Sequence, residues 1–174
     1  MKRKDYKAAI AVALLAATAA AQQTVKLTVS AQAIKTIELT GGDLAKMTRI
    51  AIDARDPHSG EPRKYEGVRM SELLAKAGVP LGDALKGKAL ATYVLARAAD
   101  GYAVVFSIAE LDPAMNENQI MVADKVDGKP LDDKQGPLRV IVPGEKRAAR
   151  WIRMLTSLEV VSAISPSGSL PRSP

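Results

Sequence analysis

A mixed α+β domain with a largely β core is the fold class this sequence predicts, and three observations carry the prediction. Short apolar, β-branched runs recur along the chain, fenced by Gly, Pro, Asp and Ser turn formers. The helical stretches between them are brief, and two carry cap signals at their starts. Heptads, internal repeats and long amphipathic helices are absent from the 174 residues.

Residues 1–21 begin Met-Lys-Arg-Lys, continue through an Ala-rich apolar run and end at Ala19-Ala20-Ala21, the pattern of a cleavable signal peptide. The run falls short of the roughly 20 apolar residues of a membrane span, so none is expected after cleavage. An uncleaved anchor is the alternative. Cleavage removes Lys2, Arg3, Lys4, Lys7 and Asp5, which takes the formal net charge from +6 to +3. That mild excess can attract small anions, but with 3% aromatic residues it does not describe a nucleic-acid surface. The expectation is a periplasmic or secreted domain over residues 22–164, with a disordered Ser/Pro/Gly tail over 165–174. The chain has no cysteine, so the domain rests on its core alone and offers no thiolate to a metal or a nucleophilic mechanism.

Within the domain, residues 24–30 alternate apolar and polar as a half-buried strand does, and 34–39 give a weaker second strand. Thr40 can cap a short helix over 43–47, with Asp43 in its first turn. A strand over 48–53 then runs into a polar loop, 54–64, that holds the single histidine, His58. A lone histidine there reads as surface. Residues 65–68 lead into a helix over 70–77 that Gly78 and Pro80 stop, and a weaker helical stretch covers 81–90. Strands follow over 91–97 and 102–106, joined at Asp100-Gly101. Ser107 and Glu110 have capping-box spacing. Further strands are read over 119–123, 138–142 and 158–161, with a turn at Asp127-Gly128.

Most site chemistry is missing. The sequence has no Gly-rich phosphate loop, no Gly-x-Ser-x-Gly and no zinc spacing. The acidic pairs Asp112/Glu117 and Asp132/Asp133 read as solvated turn residues. What remains is basic: Arg139 inside an apolar strand, then Lys146, Arg147 and Arg150 before the only tryptophan, Trp151. A mid-strand arginine is costly unless it pairs with an internal carboxylate such as Asp100 or binds an anion. Arg147 and Arg150, three apart, would face the same way on a helical turn, and guanidinium forks suit phosphate.

Five motifs in order complete the reading: Tyr65-Glu-Gly-Val68 with the helix after it, Ala99-Asp-Gly-Tyr102, Asp127-Gly-Lys-Pro-Leu131, Gly136-Pro-Leu-Arg-Val-Ile-Val-Pro-Gly144 and Arg147-Ala-Ala-Arg-Trp151. Together they resemble the molybdopterin-binding domain of the sulfite oxidase family, over residues 30–162. The resemblance implies that family's mixed, β-rich fold, a pterin-bound molybdenum cofactor and oxygen-atom transfer. It also implies cofactor-binding roles for Asp100, Gln135, Arg139, Arg147 and Arg150. Here Gln135 stands where the family has His, Arg150 where it has Lys, and alanine where it has Ser. The family's metal-ligand cysteine, which follows the strand that residues 48–53 resemble, has no counterpart. Two readings stay open from the resemblance. One is a non-catalytic domain that holds a pterin, another small anion or a periplasmic protein partner. The other is a molybdenum oxidoreductase whose site is completed by Asp53 or by a partner's residue. A purely structural domain with a surface basic cluster is a third.

Overall fold

Two five-stranded sheets make up the computed structural model, which describes residues 25–31 and 34–164. The signal-peptide and tail expectations lie outside the described residues. In the first sheet the order is β2 (Ile34–Thr40), β1 (Lys26–Ala31), β10 (Leu155–Ser162), β5 (Thr92–Ala98), β6 (Ala103–Ser107). Only the β1–β10 pairing is parallel. In the second sheet β3 (Arg49–Arg55), β4 (Pro62–Arg69) and β7 (Met121–Val126) run in sequence. The far side of β7 is shared by β8 (Lys129–Pro130) and β9 (Arg139–Ile141). Alternating side chains of the first sheet, such as Leu27, Val29, Val94 and Ala96, and consecutive ones of β7 and β9, such as Met121, Val122, Val140 and Ile141, are buried in one apolar cluster.

The helices are as short as their sequences predict. Thr40 caps α1 (Gly41–Ala45), and the Thr40 amide in turn donates to the Asp43 carboxylate at 2.9 Å. Met70, Leu73 and Leu74 of α2 (Met70–Lys76) are buried in the core. The Ser107–Glu110 capping box opens α3 (Ile108–Leu111), with both of its bonds formed.

Two expectations are corrected. The loop expected over 54–64 shrinks to residues 56–61, because β3 runs to Arg55 and β4 begins at Pro62. Proline is tolerated at the first position of a strand, and Gly67 inside it is no loop signal. A Cβ on Gly67 would lie 2.0 Å from the Val122 carbonyl oxygen, so the residue marks close backbone approach. The helical stretch expected over 81–90 is two 3-10 turns, Gly82–Ala84 and Gly87–Ala91. Both open on glycines with positive φ, which interrupt a continuous helix.

The sheets are joined where the site forms. The Val140 amide donates to the Ile152 carbonyl at 2.8 Å, and the Leu155 amide to the Leu138 carbonyl at 2.9 Å. These bonds tie β9 of one sheet to the segment entering β10 of the other.

Candidate functional site

Beyond β9 the chain turns through Pro143-Gly144 into a 3-10 turn, Ala148–Arg150, and then Trp151. Trp151 is the pin of this segment. Its indole N–H donates to the Val142 carbonyl at 2.9 Å, and its backbone N–H to Ala148 at 2.9 Å. From the first sheet, the β5–β6 turn comes alongside. Asp100 accepts the Tyr102 amide at 2.9 Å, and the Tyr102 hydroxyl donates to the Ala149 carbonyl at 2.8 Å. From the second sheet comes the β3–β4 loop, carrying Pro57 and His58. These three segments line a cavity of about 510 Å³ with Pro57, His58, Asp100, Tyr102, Lys146, Arg147, Trp151 and Arg153.

The five residues expected to bind a cofactor divide into two groups. Asp100 and Arg147 line the cavity. Arg139, Gln135 and Arg150 do not, and each has an internal partner. Arg139 is 1% exposed. Its Nη1 donates to Asp56 Oδ2 at 3.1 Å and to Gln135 Oε1. The guanidinium carbon lies 5.3 Å from the Trp151 ring centre and 5.7 Å from that of Tyr65. The internal carboxylate is therefore Asp56, not Asp100. The strand order brings it there: β9 pairs with β7, β7 with β4, and Asp56 begins the loop between β3 and β4.

Arg150 likewise turns inward. It donates from Nε to Glu145 at 2.6 Å and from Nη1 to Glu110 at 3.0 Å, with its guanidinium 4.9 Å from the Phe106 ring centre. The expectation that Arg147 and Arg150 face the same way is thus corrected. Arg147 is extended (φ −130°, ψ 146°) and lies outside the 3-10 turn that carries Arg150, and two carboxylates neutralise Arg150.

This sorting leaves three cations at the cavity. Lys146, Arg147 and Arg153 are exposed and make no ion pair among the described residues. Arg153 carries no site signal in the sequence, and His58, expected on the surface, is exposed and lines the cavity. Arg153 lies beyond the motif that ends at Trp151, and His58 lies in a loop with no motif of its own. The residue offered as a replacement metal ligand, Asp53, is exposed on β3 and does not line the cavity. A second cleft, about 540 Å³, includes Lys26, but Glu38 pairs with that lysine at 2.8 Å. A third, about 340 Å³, is lined mainly by apolar side chains such as Ile34, Val79, Leu85 and Ile108. Neither offers an uncompensated cluster.

Asp56 organises the loop behind His58. Its Oδ1 accepts the amides of His58 at 2.8 Å and Ser59 at 3.3 Å, and its Oδ2 accepts the Tyr65 hydroxyl at 2.8 Å. Burial works to raise the pKa of this carboxyl. The His58 amide, the Tyr65 hydroxyl, the Arg139 charge and the Ser59 amide outweigh it and hold the pKa down to about 2. Burial, and then the bond to Asp56, pushes the Tyr65 phenol well above its usual range.

The architecture has known counterparts. A solved structure, the sulfane dehydrogenase SoxCD from Paracoccus pantotrophus, superposes with a TM-score of 0.59 at 19% sequence identity. The match covers 78% of this chain and 37% of that one, a likeness of fold. No curated protein matches the chain. The model of the oxidoreductase molybdopterin binding domain matches residues 15–168, nearly the whole sequence. With one mixed and one antiparallel sheet and few short helices, the chain belongs to the oxidoreductase molybdopterin binding domain family.

Proposed function

We propose that this chain is an exported, non-catalytic member of the family that binds a phosphate-bearing pterin, or a small anion of that kind, in the cavity beside Trp151. The observation that carries the reading is the charge sorting. Arg139 and Arg150 are matched by internal carboxylates, while Lys146, Arg147 and Arg153 are left uncompensated around one cavity. Unpaired guanidinium groups at a shared opening suit a phosphate.

A molybdenum–pterin cofactor asks for two things, cations for its phosphate and a soft ligand for its metal. The cavity answers the first. It does not answer the second, because the chain has no thiolate, and among the described residues no group of three or more His, Asp or Glu side chains could hold a metal ion. The residues fit the organic, anionic part of the cofactor and not the metal. The signal-like N-terminus supports export, and a mature chain beginning at Gln22 would agree with it.

Protein purified from a host that makes molybdopterin tests the reading by its pterin and metal content. Pterin without stoichiometric molybdenum is expected. Arg147→Ala combined with Arg153→Ala should remove that pterin while Arg150→Ala leaves the Arg147 side of the cavity charged. Stoichiometric molybdenum with oxidase or reductase turnover would overturn the non-catalytic reading. Equal pterin in the double variant would overturn the site.

A further inference from the structure

We infer that His58 is an oxyanion-contacting residue of this cavity and that Asp56 is the positioning residue that holds it there. The inference rests on the reading of the cavity as an anion site. His58 is exposed and lines the same cavity as Lys146, Arg147 and Arg153. Its backbone is not left to the loop. Asp56 accepts the His58 and Ser59 amides through one oxygen. The loop is then closed by Asp56 N–H to Glu61 at 2.8 Å and Gly60 N–H to Asp56 at 2.7 Å. The other Asp56 oxygen is fixed by Tyr65 and by Arg139, which is buried with its Nε and Nη2 unpartnered. Six residues of surface loop are therefore anchored to a buried charge of the core. With its backbone fixed at a cavity lined by three cations that make no ion pair, His58 can offer an imidazole N–H donor to an oxyanion seated among them. Asp100 is the one carboxylate in the lining; its Oδ1 accepts the Tyr102 amide, and it makes no ion pair with the three cations, which leaves the cavity net positive.

The chain contains one histidine and one tryptophan, and both line this cavity, so two native reporters exist without labelling. Inorganic sulfate is the probe, because its charge does not change across neutral pH. Trp151 emission and the His58 imidazole proton resonances should follow sulfate with the same dissociation constant. His58→Ala should weaken sulfate by about tenfold or more, the scale of one hydrogen bond to a charged group, and His58→Gln should recover part of it. Asp56→Asn should weaken sulfate similarly and add little to His58→Ala, since the two act through one contact. Should Asp56→Asn fail to fold, Tyr65→Phe removes one anchor of the carboxylate, keeps the Arg139 charge paired, and should weaken sulfate in the same non-additive way.

A His58 resonance that stays still while Trp151 responds, or unchanged affinity in His58→Ala, overturns the His58 role and leaves the anion site standing. Additive losses overturn the positioning role of Asp56. Silence from both reporters overturns the anion reading and this inference with it.

Discussion

Arg139 and Asp56 show how much of a residue's role the chain order hides. A buried arginine inside an apolar strand announces a partner or a ligand from sequence alone. Which of the two it has depends on a residue 83 positions away, across two strand pairings. The pair also sets an acid sensitivity. Because the Asp56 carboxyl is held down to about 2, below an ordinary 3.8, its contribution is fully present above pH 3.8 and is lost as pH falls through 2. That contribution is on the order of 2 kcal/mol, and acid unfolding followed by circular dichroism should steepen between those values. Asp56→Asn removes the acid-dependent part and strands the Arg139 charge. It should cost about 3–5 kcal/mol in urea unfolding at neutral pH. A wild-type acid profile in that variant would show that another carboxylate carries the effect.

Elements were more legible than their partners. Alternation, capping boxes and turn dipeptides are local signals, so β1, β2, β5, β6, α1 and α3 could be read close to where they stand. β4 could not, because Pro62 and Gly67 carry loop chemistry in sequence while tertiary pairing gives them strand positions. Gly67→Ala measures that pairing. With the Val122 carbonyl 2.0 Å from the added Cβ, β4 and β7 must move apart. A loss of about 2 kcal/mol or more is expected in chemical denaturation, beyond an ordinary surface change. An unchanged midpoint would mean that the strands can separate at no cost. The 3-10 turn at Ala148–Arg150 gives a second test at this scale. Arg150→Ala loses bonds to Glu110 and Glu145 and the Phe106 face, and should cost about 1–3 kcal/mol in stability. Sulfate affinity should fall far less than in Arg147→Ala. The reverse ordering would return Arg150 to the binding set.

At the scale of the whole molecule, the cavity is an assembly of three segments drawn from both sheets. Tyr102 belongs to the first sheet, His58 to the second, and Lys146 to Arg153 to the crossing between them. Only the last of these was legible as a basic cluster, since the other two reach the site through tertiary packing that no local pattern encodes. This placement has a thermodynamic consequence. An anion bound across the segments is bound by the folded state alone, because unfolding scatters its contacts. At ten times its dissociation constant, such a ligand should stabilise the domain by about 1.4 kcal/mol, with the melting temperature rising accordingly. Sulfate should produce that rise in the wild-type protein, less of it in Arg147→Ala, and little in Arg147→Ala with Arg153→Ala. The cations are exposed, so background salt should erode the effect as the screening length shortens. A rise of equal size in the double variant would place the anion elsewhere on the surface, and the sorted charges around Trp151 would then be a feature of packing alone.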